Sequence, residues 1–130
     1  MRFFLIGFVL GVASLLGCSK GPLLFKVSGD VICDGVPLTD GEISLVPEEV
    51  GIAPDGASII NGHFDMLAKP GKKKVVIRAS RVMANPPKGA NLANPPREDF
   101  IPSRFNDLTM LRAEVKSEGG NQFKFEVSTK

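Results

Sequence analysis

The stretch Gln122-Phe-Lys-Phe-Glu-Val-Ser128 alternates polar and apolar side chains at every position. Phe123, Phe125 and Val127 fall on one side of an extended chain, because successive side chains of a strand point to opposite faces. A period of two is typical of a strand with one face against a core and the other in solvent. This is the cleanest alternation in the protein, and it predicts a β-strand near the C-terminus.

The same period recurs along the chain from Phe25 onward. Alternating segments at 25–33, 43–45, 57–60, 64–66, 75–79 and 110–116 join 122–128 to make seven short strands. Asp34-Gly35 and Asn61-Gly62 are strong signals for two-residue turns. No segment shows a sustained helical period. We therefore predict an all-β fold, a seven-stranded antiparallel sandwich over residues 25–130, in which 110–116 and 122–128 form the last pair.

Length and composition exclude several classes of function. The 130 residues allow one domain, and the net charge of +2 gives no footprint for nucleic acid. The chain has no Trp and no Tyr, which disfavours stacking surfaces for bases or sugars. Fourteen Gly and ten Pro divide it into short segments, which favours β structure over helices.

The N-terminus has the pattern of a secretory signal. Arg2 precedes fourteen uncharged residues, 3–16, which are too few for a bilayer span of about 20 residues. The run ends in Leu15-Leu16-Gly17-Cys18, which resembles the lipobox of bacterial lipoproteins. This resemblance implies cleavage before Cys18, a diacylglycerol group on its thiol and no further cofactor. The alternatives are an ordinary signal peptide or an uncleaved anchor with a chance cysteine.

These features predict the organisation and location of the chain. Residues 1–17 form an N-terminal signal helix, 18–24 a short tether and 25–130 the sandwich. The seven steps from Cys18 to Phe25 reach at most about 25 Å, so the domain stays close to its membrane. We expect a secreted protein anchored by lipid at the periplasmic face or the outer membrane. Ser19, in place of an aspartate that favours inner-membrane retention, points weakly to the outer membrane.

The mature chain resembles a known domain family in its turn motifs. Val27-Ser-Gly-Asp-Val-Ile-Cys-Asp-Gly-Val-Pro-Leu38 is similar to the opening of transthyretin-like, carboxypeptidase regulatory-like domains. The likeness continues through 41–47, 61–64 and 70–77. Residues 101–106 and 111–127 are similar to the end of a subgroup that occurs as small bacterial lipoproteins. It implies a Greek-key, prealbumin-like sandwich and usually no catalysis. Lys73 departs from the family, which often has Tyr beside this Pro-Gly turn.

A search for catalytic or metal-binding groups finds little. His63 follows a turn, where we expect it to be exposed, and Cys33 lies in an alternating strand, where we expect a small core residue. Asp30, Asp34 and Asp40 lack the spacing of a calcium loop. The related purine-pathway hydrolases need several histidines and a C-terminal Tyr-Arg-Gly-Ser, which this chain lacks. We predict neither catalytic residues nor a metal, and therefore no enzyme.

Residues 81–108 form a long Pro-rich segment without a strand pattern. We expect its second half, 100–106, to pack on the sandwich and its first half to remain detached. A long loop inside a compact domain is usually functional or disordered, so we predict an interaction surface here. The candidate residues are Pro86, Pro87, Asn91, Pro95, Pro96, Arg97, Phe100 and Arg104. The predicted function is a non-enzymatic structural or protein-interaction module of the cell envelope, and the alternative is a small-ligand or carbohydrate-binding lipoprotein.

Two lysine patterns have alternative interpretations. Lys72-Lys73-Lys74 either contacts anionic lipid head groups or, as we favour, protects a sheet edge from unwanted pairing. Lys26 and Asn121, with Glu42 as the acid, are loosely placed for an internal isopeptide bond, although Lys26 is expected to face solvent.

Overall fold

The computed structural model describes residues 23–130, which form ten strands and one 3₁₀ turn, with no α-helix in that range. The predicted all-β fold is confirmed. The signal helix and Cys18 lie outside the described residues. No helix among those described is long and apolar enough to cross a membrane. The strands are β1 (Phe25–Cys33), β2 (Val36–Pro37), β3 (Asp40–Pro47), β4 (Asp55–Ile60), β5 (His63–Ala68), β6 (Gly71–Arg78), β7 (Ser80–Val82), β8 (Arg97–Asp99), β9 (Arg112–Val115) and β10 (Asn121–Val127).

Eight of the strands form one curled sheet in the order β10–β1–β5–β4–β3–β6–β9, with β2 paired to β1. All seven predicted segments contain a strand; β2, β7 and β8 are additional. The predicted pairing of the last two strands is wrong, because β9 pairs with β6 and β10 pairs with β1. Moreover, β1 and β10 run parallel, so the sheet is not wholly antiparallel.

The two predicted tight turns are confirmed. Asp34 and Gly35 have φ values of 51° and 83°, and Asn61 and Gly62 have 51° and 78°. Positive φ at both central residues is the geometry that matches the twist of paired strands. Gly62 is also required by space, because a Cβ there would lie 2.5 Å from the Cβ of Pro37.

The core lies on the inner face of the curled sheet. Phe64 stacks on Phe125 with ring centroids 6.3 Å apart, and Phe125 stacks on Phe123 at 5.9 Å. β1 approaches β10 so closely that a Cβ on Gly29 would meet the Phe123 carbonyl oxygen at 2.2 Å. The inward positions are those that the alternation predicts. The buried apolar residues are Val27, Val31, Cys33, Leu38, Ile43, Leu45, Ile59, Phe64, Met66, Ala68, Val75, Ile77, Ala79, Ile101, Ala113, Val115, Phe125 and Val127.

Asn121 connects β10 to the turn that follows β9. Its Oδ1 accepts a hydrogen bond from the Lys116 N–H at 2.8 Å, and its Nδ2 donates to the Lys116 carbonyl at 2.8 Å. Nδ2 also donates to the Lys26 carbonyl at 3.3 Å. The amide is therefore committed to backbone groups. The isopeptide bond considered for Lys26 and Asn121 would need a buried acid. Glu42, the candidate acid, is exposed and does not meet this requirement.

The Pro-rich segment is organised rather than detached. β7 and β8 pair antiparallel and form a two-stranded ribbon, with residues 83–96 as its tip. The expectation for the second half is confirmed: Ile101 is buried, and Phe100 and Phe105 pack against the core. The first half, which we expected to be detached, is held at its base by the pairing of β7 with β8. The cause is three cross-strand pairs, which proline-rich composition alone does not reveal.

Candidate functional site

The ribbon lies at the end of the sheet opposite to the point where the chain begins its first strand. β1 runs from Phe25, opposite Ala68, to Cys33 at the other end, where the turns Asp34-Gly35 and Asn61-Gly62 also lie. Between the ribbon and these turns is an open cleft of about 540 Å³. Its walls are apolar at Leu38 and Phe100, and its rim carries charged groups. This cleft and the ribbon tip together are the candidate interaction site.

Two arginines at the base of the ribbon are held by fixed partners. Arg97 donates from Nε to the Ser80 hydroxyl at 3.0 Å and from Nη2 to the Ser80 carbonyl at 2.7 Å. Arg81 pairs with Glu98 at 2.9 Å, and its guanidinium lies 5.4 Å from the centroid of the Phe100 ring. These bonds connect the strands through side chains as well as backbone. Both guanidinium groups at the rim of the cleft are consequently held in place by contacts within the chain.

The predicted contact residues are divided among three places. Pro86, Pro87, Asn91, Pro95 and Pro96 belong to the ribbon tip, where the Asn91 side chain accepts a hydrogen bond from the backbone of residue 93 at 2.9 Å. Such a side-chain-to-backbone bond is a local turn device.

The other three predicted residues lie away from the tip. Arg97 and Phe100 line the cleft at the base of the ribbon. Arg104 belongs to neither group, because its guanidinium lies 4.7 Å from the Phe105 ring centroid and donates to the Ser128 carbonyl at 3.0 Å. Arg104 therefore lies apart from both the ribbon tip and the cleft, and its predicted role in contact stays a prediction.

The cleft contains an acid that the sequence did not single out as part of a site. Asp34 accepts hydrogen bonds from the Thr129 hydroxyl, at 2.5 Å, and from the Thr129 N–H, at 3.1 Å. These bonds lower the pKa of the Asp34 carboxyl, the hydroxyl bond most strongly. Beside it, burial and then the charge of Asp34 raise the pKa of the Cys33 thiol. A thiolate is therefore disfavoured, and Cys33 behaves as the core residue that we expected.

His63 has a more specific environment than the exposed turn position we predicted. It is the first residue of β5, and its Nδ1 and Nε2 lie 3.1 Å from carboxylate oxygens of Asp30 and Asp65 respectively. The hydrogen bond to Asp30 is the main cause that raises the pKa of the imidazole, and Asp65 adds to it. The ring is half exposed, as predicted. The two carboxylates are recognisable in the sequence only when the register of β1 against β5 is known.

The basic run 72–74 does not protect a sheet edge. β6 lies between β3 and β9, so that Lys73 has a strand neighbour on both sides. Lys73 is only 2% exposed, because the middle residue of an alternating strand turns inward. Burial lowers the pKa of its amine, while Asp55 opposes that effect. Asp55 itself receives two hydrogen bonds from Lys69, 2.8 Å from Nζ and 2.9 Å from the backbone N–H.

Among residues 23–130 no group of three or more histidine, cysteine or carboxylate side chains is arranged to hold a metal ion. No family model and no curated protein matches the chain. The chain is similar to part of a solved structure, a 9R-lipoxygenase from Cyanothece, with 13% sequence identity and a TM-score of 0.39. The match covers 85% of this chain and 18% of the lipoxygenase, so the chain spans less than a fifth of that protein. A likeness this distant carries no argument about function.

Proposed function

We propose that the protein is a bacterial lipoprotein, anchored to a membrane through Cys18, and that it acts as a non-enzymatic interaction module of the cell envelope. The proposal includes a location outside the cytoplasm, at the periplasmic face or the outer membrane. Support for the anchor comes from Arg2, the uncharged run and Leu-Leu-Gly-Cys18. Support for the short tether comes from the start of the first strand at Phe25, seven steps after Cys18.

The domain is proposed to be a transthyretin-like Greek-key sandwich. In support, the strand order of the sheet contains two groups, β10–β1–β5 and β4–β3–β6–β9. The hairpin between β4 and β5 joins the two groups. The pairing of β10 with β1 brings the last strand back beside the first, as in a Greek-key return, although here the two strands run parallel.

The observation that carries the interaction role is the ribbon. A segment rich in Pro and Asn is presented on paired strands, at the end of the domain opposite to Phe25. Leu92 in the tip is 81% exposed, and Val82 at its base is 47% exposed. Exposed apolar side chains on a rigid base are suited to protein contact, because little ordering entropy is lost on binding.

Two experiments test the two parts of the proposal. Metabolic labelling with a fatty-acid analogue should mark the wild-type protein and leave a Cys18→Ala variant unmarked; a labelled variant would contradict the anchor. For the ribbon, crosslinking and capture of the native protein from its own membranes is compared with a variant in which residues 84–96 are replaced by Asn-Gly-Thr.

The replacement keeps the register of the ribbon. The Met83 N–H donates to the carbonyl of residue 96 at 2.9 Å, so this pair can flank an Asn-Gly two-residue turn. Thr in place of Pro96 supplies the N–H that the turn needs. A crosslinked protein that disappears with the tip supports the proposed surface. Recovery of the same protein by both forms would refute it.

The second candidate function is binding of a small ligand or carbohydrate in the cleft. The cleft volume of about 540 Å³ is within the range of ligand pockets, and Leu38 and Phe100 supply apolar wall. Titration with candidate ligands, comparing the wild type with Phe100→Ala, distinguishes this function. Binding that Phe100→Ala weakens and that the shortened ribbon leaves unchanged would favour it over protein contact.

A further inference from the structure

Among the residues that the structure describes, no strand lies beside the outer edge of β10. β10 ends the strand order of the sheet and, within residues 23–130, pairs only with β1. It is seven residues long and contains no proline. Long unpaired edges are available for pairing with another chain, and proteins usually shorten, cover or interrupt them. The edge of β10 is shielded only at its two ends.

The register of β10 against β1 shows which backbone groups face outward. The Val127 carbonyl accepts a hydrogen bond from the Asp34 N–H at 3.0 Å, so Val127 presents its backbone to the β1 side. Successive residues of a strand present their backbone groups to opposite sides. Lys124 and Glu126 therefore direct their N–H and carbonyl groups away from β1, and neither has a backbone partner there among the described residues.

The two shielded ends are placed symmetrically. At one end the Gln122 N–H donates to the Gly120 carbonyl at 3.0 Å, and at the other the Ser128 carbonyl accepts from Arg104 at 3.0 Å. Both lie on the outer side, as the alternation requires. The open window between them is centred on Phe125.

We propose that a second copy of this chain pairs with the edge, β10 against β10, antiparallel, about a two-fold axis at Phe125. In this register Lys124 lies opposite Glu126 of the second copy, and Glu126 opposite its Lys124. Each of these pairs exchanges both backbone hydrogen bonds, because their groups are the ones that face outward. Within one protomer Lys124 Nζ lies 3.8 Å from Glu126 Oε1, and the two side chains are 61% and 72% exposed, so each can exchange this contact for an ion pair across the axis.

Charge selects this register over its neighbours. An axis at Lys124 places two lysines opposite each other, and an axis at Glu126 places two glutamates together. Like charges directly opposite destabilise a strand pair, whereas opposite charges stabilise it. Of these three registers, only the one about Phe125 places opposite charges across from each other. This self-complementarity is what a two-fold interface requires.

The arrangement is compatible with two anchored chains. Antiparallel β10 strands place the two Phe25 residues at opposite ends of the dimer. Seven strand residues extend about 23 Å, and the proposed tether reaches about 25 Å. Both anchors therefore reach one bilayer when the strands lie along it. Formation of the dimer does not require lipidation. The proposed dimer and the proposed lipid anchor can therefore be tested independently.

Sedimentation equilibrium of the full chain in density-matched detergent tests the dimer. The wild type should show twice the protomer mass, and Lys124→Glu or Glu126→Lys should each weaken association at least about tenfold, because two ion pairs become two repulsions. The double variant Lys124→Glu/Glu126→Lys should restore it. An equimolar mixture of the two single variants should also form dimers. Lys74→Glu, a charge reversal at an exposed position of the interior strand β6 opposite Arg112, is the matched control and should remain dimeric.

Several results would overturn the proposal. A wild type that is monomeric at all concentrations excludes the dimer. A dimer that persists in both single variants forms through another surface. Loss of dimer in the Lys74→Glu control, or no rescue in the double variant or the mixture, would show that net charge rather than this register governs association. Circular dichroism verifies that each variant keeps its β structure.

Discussion

Removal of the Asn121 side chain should loosen the contact between β10 and the turn after β9. Asn121 is 5% exposed and makes three hydrogen bonds, two of 2.8 Å to Lys116 and one of 3.3 Å to Lys26. A protein hydrogen bond contributes about 1 kcal/mol net, and an amide left without its partner costs more. We expect Asn121→Ala to lower the free energy of unfolding by about 2–3 kcal/mol.

Urea unfolding of the full chain, followed by circular dichroism, measures this change, since the chain has no Trp or Tyr for fluorescence. With a urea dependence of about 1.5 kcal/mol per M, the midpoint should fall by about 1.3–2 M. Gln122→Ala, at the neighbouring exposed position, is the control and should change stability by less than about 0.5 kcal/mol.

Asn121→Asp separates the acceptor from the donor role. The carboxylate keeps the bond from the Lys116 N–H but faces two carbonyl oxygens in place of the lost donor. At neutral pH this variant should be no more stable than the alanine variant, and protonation of the introduced acid should restore part of the stability at low pH. A loss below about 0.5 kcal/mol for Asn121→Ala would refute the role of this side chain.

Four further substitutions test the core and the charged clusters. Gly29→Ala forces a Cβ to within 2.2 Å of a carbonyl oxygen, so we expect a loss of about 3 kcal/mol or more in urea unfolding; a near-neutral effect would contradict the close approach of β1 and β10. His63, with its pKa raised above 6.5, should add stability that is complete below that value and lost as pH rises through the folded-state pKa; an NMR titration should place that pKa above 6.5 and Asp30→Asn should lower it. Burial raises the pKa of the Asp55 carboxyl, but its hydrogen bonds lower it more, so its contribution is present above about pH 4 and lost on acidification; Asp55→Asn should reduce the acid dependence of unfolding. Lys73→Met, which replaces a buried amine by an apolar chain, should be neutral or stabilising, and a large loss would show that its charge is needed.

Local sequence determined much of this protein. The period of two identified the strands and their inward residues, since face selection depends only on alternation along the chain. Asn61-Gly62 and Asp34-Gly35 specified turns because both positions need φ values that few residues tolerate. The apolar character of 100–106 predicted that this half of the Pro-rich segment packs against the core.

Only the tertiary structure decided which strands are neighbours. The parallel pairing of β10 with β1 and the ribbon formed by β7 and β8 join segments that no local signal connects. The pairing of β1 with β5 brought Asp30 to His63, and the pairing of β6 with both β3 and β9 enclosed Lys73. The physical reason is that the alternation within a strand determines which of its faces is buried. Which strand pairs with which is determined by the packing of the whole core. The unpaired edge of β10 can therefore be recognised only when the partners of the other described strands are known.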